Sequence, residues 1–160
     1  MHSTIIQLSD KPLSSCEWAT ESDFYNDLDN KLDYCDLLEG DGRESRVNDL
    51  MSPDGLLPLL FRRGGSRDVL VFKGRKALLE VRGRWLAEIR RALDELKGSG
   101  RFDTFRLLHA VNRVGGVWTL FCLSGWSGDR AVYPCELLEW LDTLEDNQPV
   151  HVGAVLDYHF

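Results

Sequence analysis

The stretch "PVHVGAVLDYHF", residues 149–160, decides how this chain folds. In an extended strand, successive side chains point to opposite faces. Val150, Val152, Ala154, Leu156, Tyr158 and Phe160 then share one face, and His151, Gly153, Val155, Asp157 and His159 share the other. An apolar face of that length belongs to a strand inside a sheet, with Tyr158 and Phe160 in the core. The opposite face supplies the first candidate chemistry. Asp157 and His159 are i, i+2 neighbours, close enough for a carboxylate to orient an imidazole, and His151 falls on the same side. The three form a candidate acid–base or metal site, although alternation alone also produces such a polar face on a solvated strand.

The flanking elements follow outward from that strand. "YPCELLEWLDTLEDN" (133–147) sets Leu137, Leu138, Trp140, Leu141 and Leu144 along one side of a helix. Upstream, "TFRLLHAVN" (104–112) and "VWTLFCLS" (117–124), joined by "RVGG", read as the central hairpin of the sheet. The long segment "RKALLEVRGRWLAEIRRALDELKGSG" (75–100) reads as a helix whose stripe Leu78, Trp85, Leu86, Ile89, Leu93 and Leu96 faces the core, with "GSG" ending it. Glu80–Arg84, Arg84–Glu88, Arg90–Asp94 and Arg91–Glu95 are spaced to pair along its outer face.

"LLPLLFRRGGSRDVLVFKG" (56–74) contains two apolar runs around a Gly-Gly turn. The first run, with Pro58, suits an edge strand or a loop, and "DVLVF" is a strand. Residues 43–51 form a short helical segment. Thr20 and Asp23 form an acidic capping box for a first helix over 22–38, where Phe24, Leu28, Leu32 and Cys35 recur at helical spacing and "EGDG" (39–42) makes the stop. "STIIQLS" (3–9) is the opening strand. The fold class is therefore α+β: a mainly antiparallel sheet with helices packed on it, a single domain over 1–160.

Composition is that of a globular chain, with 43% hydrophobic and 28% charged residues. No apolar run approaches the roughly 20 residues that cross a bilayer, and "MHSTIIQLSDKP" lacks a signal peptide's basic start, so no membrane is expected and the location is cytoplasmic. Cysteines 16, 35, 122 and 135 make no C-x-x-C pair and read as structural thiols. Net charge is −7 but segregated: residues 20–54 hold eleven acids and three bases, and residues 62–101 hold twelve bases and five acids. Opposite signs so close in one chain fit an internal electrostatic match.

Other motifs carry less. "SGWSGD" (124–129) has Asp129 where a nucleophile elbow needs its last glycine. The aspartate run "NDLDNKLDYCDLLEGDG" fails as a calcium loop, with Lys31 at the fifth position and Leu32 at the glycine position. Cys122, Cys135, His109 and His151 lack finger spacing, so no metal site is assigned, and no motif calls for a cofactor. Arg62, Arg63, Arg67, Arg75 and Lys76 are the candidate nucleic-acid contacts.

"MHSTIIQLSDKP", "ESDFY" and "VGAVLDYHF" together resemble a family of small uncharacterised proteins of Firmicutes-type genomes, often carried on conjugative or phage-like mobile elements. The resemblance is confined to the two ends of the chain. It implies a context, brings no catalytic residues, and makes Gly153 to Phe160 a signature.

Three functions remain. The first is a small cytoplasmic interaction or regulatory protein with a protein partner, one variant being an acidic mimic of nucleic acid through residues 21–54. The second is an enzyme using His159, Asp157 and His151. The third is a nucleic-acid-associated protein using the basic 62–91 region, which the negative net charge disfavours.

Overall fold

The structure is a computed structural model describing residues 2–25, 34–53, 55–99, 104–112, 119–128 and 130–159. In chain order its elements are β1 (His2–Ser9), α1 (Glu21–Tyr25), β2 (Tyr34–Leu37), α2 (Gly40–Leu50), α3 (Leu57–Leu60), β3 (Phe61–Arg63) and β4 (Val69–Phe72), then α4 (Arg75–Ser99), α5 (Thr104–Asn112), β5 (Leu120–Leu123), β6 (Ala131–Val132), α6 (Pro134–Leu141) and β7 (Pro149–His159). The strands form one sheet in the order β3-β4-β7-β1-β5-β6, with β2 also paired to β7. Among the described residues only β1–β5 is parallel; the other pairings are antiparallel. This is the expected α+β class, a mainly antiparallel sheet with helices on it.

The apolar terminal stretch becomes the centre of the sheet. β7 pairs along one edge with β1, and along the other with β4 at its start and β2 at its end. Ile6, Leu8, Val150, Val152 and Val155 line one face, packed with Leu78 and Val81 of α4 and with Leu137, Leu138, Trp140 and Leu141 of α6. Ile5, Cys35, Leu120, Ala154, Leu156 and Tyr158 line the other, with Phe24 of α1. Burying both faces explains why the strand is almost continuously apolar. Phe160, expected in the core, lies outside the described residues.

Several expectations are corrected. "TFRLLHAVN" is the helix α5 and not one arm of a central hairpin; β5 instead pairs with β1 and β6. Nine residues without strict alternation satisfy either period, and docking against α4 selects the helix. There the indole Nε1 of Trp85 donates to the carbonyls of Ala110 and Val111, at 3.0 and 3.2 Å. The first helix keeps its predicted cap, with Asp23 Oδ2 accepting from the Thr20 N–H at 2.6 Å, but α1 is described only to Tyr25. Residues 34–37 form β2 and not the end of a first helix, because Cys35 and Leu37 find partners in β7. Leu28 and Leu32 fall outside the described residues. "EGDG" opens a helix where a stop was expected: Gly40, at φ 50°, turns the chain into α2.

α4 corrects the assignment of its faces. Leu78 is fully buried and Trp85 half-buried, whereas Leu86 and Leu93, expected on the sheet, stand 47% and 38% exposed. Two stripes at seven-residue spacing lie side by side, Leu78–Trp85–Ala92 and Leu79–Leu86–Leu93; the fold buries the first. The four expected pairs along its outer face do not form. Among the described residues, Glu95 instead meets Arg106 at 3.3 Å and Asp94 meets Lys97 at 3.5 Å.

Candidate functional site

The predicted histidine–aspartate face is divided by a bulge. Ile6 pairs with Val155 and Leu8 with Val152, so β7 spends three steps where β1 spends two. An extra residue reverses the alternation that follows it. Asp157 and His159 therefore fall on the side of Val155, opposite Thr4 and His2, while His151 falls on the other side, opposite Ser9. The trio does not assemble.

Gln7 fills the bulge. Its side chain is buried and satisfied at every donor and acceptor position. Oε1 accepts from the Ala19 and Ala154 N–H groups, and Nε2 donates to the Glu17 carbonyl and to Ser124 Oγ, all at 3.0 Å. A Cβ on Gly153 would collide with Gln7 Oε1 and come within 2.8 Å of a Leu13 methyl, so any larger residue would have to displace the hydrogen-bonded Gln7 side chain. On the far side of the bulge, Arg43 of α2 donates to the carbonyls of Val152 (2.9 Å) and Gly153 (2.8 Å). Its guanidinium also pairs with Asp68 at 2.5 Å and stacks 4.9 Å from the Trp18 ring centre. Gln7 and Arg43 carry no motif of their own in the sequence; the one signal for them is a glycine inside an apolar strand.

Around Arg43, the start of α2, the β3–β4 turn and Trp18 enclose a cleft of about 760 Å³. Arg63 and Arg67 line it, but they engage Asn48 and Glu44 respectively, and Glu39, Asp41 and Asp68 are also in the wall. Arg62 points elsewhere, to Asn147 at 3.3 Å. Arg75 and Lys76 begin α4, where Asp146 Oδ1 accepts the Arg75 N–H at 2.7 Å. The five candidate nucleic-acid residues are thus divided between the cleft, with Arg63 and Arg67, and the neighbourhood of Asp146 and Asn147, and the cleft mixes both signs of charge.

At the other end of β7, Asp157 stands opposite Asp36 of β2 and His159 opposite Tyr34. Tyr34 donates its hydroxyl to Asp36 Oδ2 at 2.9 Å, and Arg46 Nη2 lies 3.5 Å from Asp157 Oδ1. The hydrogen bond to Asp36, then burial and the nearby carboxylates, raise the Tyr34 phenol above its usual range. Cys35, between them in sequence, is pushed up to about 11 by burial first and then by Glu21, Asp36 and Asp157. These groups bind β2 and α2 to β7, since like charges opposite one another on a ladder need such relief. A thiol held protonated in this way is a weak nucleophile.

Among the described residues no group of three or more His, Cys, Asp and Glu is arranged to hold a metal. Ser127 of "SGWSGD" ties its own turn, accepting the Leu123 N–H and donating to the Arg130 carbonyl, each at 3.0 Å. No described helix is long and apolar enough to cross a membrane.

The outer face of α4 is different in kind. Leu79, Leu86 and Leu93 are 55%, 47% and 38% exposed and recur every seventh residue. That spacing aligns them along nearly one line of a helix, as in the seam of a coiled coil. No protein-family model, curated protein or solved structure matches the chain.

Proposed function

We propose that this protein is a protein-interaction module that docks a partner along the outer face of α4. The observation that carries this reading is the leucine line Leu79–Leu86–Leu93, left in solvent on a 25-residue helix whose adjacent stripe is buried. Exposed leucines at this spacing are what a helical partner packs against. The enzyme alternative loses support from the separation of His151 from Asp157 and His159. The nucleic-acid alternative loses it from the dispersal of Arg62, Arg63, Arg67, Arg75 and Lys76. Four cysteines outside any disulfide favour a reducing, cytoplasmic setting, and the resemblance favours a regulatory role on a mobile element.

A photo-crosslinking residue at position 86 or 93, in cells that naturally express the chain, tests the reading. Heavier adducts of one discrete mass at 86 and 93, absent at control position 63 in the cleft and lost in Leu79→Gln, are expected. Equal labelling at all three positions, or none at 86 and 93, would overturn it.

A further inference from the structure

We infer that the partner of this face is an acidic amphipathic helix of another protein, an inference that rests on the docking role proposed for α4. Each exposed leucine has a base one turn away on the same side: Arg75 precedes Leu79 by four residues, Arg90 follows Leu86 by four, and Lys97 follows Leu93 by four. Neither Arg75 nor Arg90 has a carboxylate within salt-bridge distance among the described residues, and Lys97 reaches only the exposed Asp94, at 3.5 Å. The carboxylates of Glu88 and Glu95 project from the other side of the helix, on the 3.6-residue turn.

The face is therefore an apolar line edged by the guanidinium groups of Arg75 and Arg90, with Lys97 at its end held only by the exposed Asp94. An occupant matching both features places leucine-like side chains against the line and Asp or Glu at its borders. The line from Leu79 to Lys97 covers about five helical turns, enough for a partner helix of several heptads. A second copy fits poorly. Laid parallel on itself, α4 brings Arg75, Arg90 and Lys97 each against its own copy; laid antiparallel about Leu86, it brings Arg75 against Lys97 and Arg90 against Arg82.

The test uses the full chain and two synthetic helical peptides, both with leucine at heptad positions a and d. One carries glutamate at e and g, and its twin carries lysine there. Fluorescence anisotropy should show the glutamate peptide binding at least about tenfold more tightly than the twin, the sum of several border pairs. The preference should shrink between 0.1 M and 1 M salt, as the screening length falls from about 10 Å to about 3 Å. Leu86→Gln should weaken binding of the glutamate peptide, and Arg90→Glu with Lys97→Glu should reverse the preference with the melting temperature unchanged. Equal binding of both peptides, or of neither by a chain whose circular dichroism shows it folded, would overturn the acidic partner. So would tighter binding to vesicles containing phosphatidylglycerol, or a dimer in sedimentation that Leu86→Gln dissolves. Discrete adducts from position 86 alongside such a result would leave the docking role standing and remove only this inference; absent adducts would remove the docking role itself.

Discussion

Gly153 and Gln7 show how one residue can set the register of a whole strand. The bulge frees two carbonyls and an N–H from the ladder, and a buried unpaired polar group costs about 1–3 kcal/mol. Gln7 answers the N–H, and Arg43 answers the carbonyls of Val152 and Gly153. Gly153→Ala should therefore lose about 1–3 kcal/mol through overpacking against Gln7, measured by urea unfolding. Gln7→Leu should lose a similar amount by stranding the Ala19 and Ala154 N–H groups, and the double mutant should lose less than the sum. Tyr158 and Cys35 give a pH prediction. Burial pushes them up to about 12 and about 11, above their ordinary values of 10.0 and 9.0. The folded state keeps these protons where the unfolded state releases them, so their contribution is complete below about pH 9. Stability should then fall as pH rises from about 9 to 12. A denaturation midpoint that stays flat or rises over that range would contradict the burial of both groups.

At the scale of elements, α4 and α5 are the instructive pair. α4 was recognisable as a helix from its periodicity, yet both of its seven-residue stripes are apolar, and periodicity could not say which one meets the sheet. Leu78→Ala should cost about 2–5 kcal/mol, as for other fully buried leucines. Leu86→Gln should stay within about 0.5 kcal/mol of the parent, as exposed substitutions do. Comparable losses would show that both stripes are packed. Trp85 joins the helices, since its indole N–H is shared by two carbonyls at the end of α5. Trp85→Ala should accelerate amide exchange across 104–112 more than across β1 and β7. The hairpin expected at 104–124 failed because a short run of mixed apolar residues carries no period of its own.

At the scale of the molecule, the two ends of the described chain pair with one another: His2 lies opposite His159, and β1 and β7 form the longest ladder of the sheet. Contacts so distant in sequence close the largest possible loop, so the centre of the sheet forms late and folding is slow for the chain's size. Deleting residues 149–160 removes the strand that joins β1, β2 and β4, and should abolish cooperative unfolding altogether. Within that strand, Tyr158→Ala should cost about 3–5 kcal/mol, as for other buried large aromatics, while His159→Ala should cost no more than about 1 kcal/mol. Equal losses in a melting comparison would mean that both faces at this end of β7 are core.

The amino-acid sequence by itself determined the α+β class, the opening and closing strands, the cap of α1, the helical state of α4 and the buried side of α6. These follow from local periodicity and from turn and cap chemistry, which act over a few residues. Only the tertiary structure decided the sheet order, the helical state of 104–112, the strand at 34–37 and the exposed stripe of α4. It also separated His151 from Asp157 and His159, because one extra residue in β7 inverts every later side chain. That residue is accommodated by Gln7 and Arg43, which lie 146 and 110 positions from Gly153 in the chain and become its neighbours only when the sheet closes.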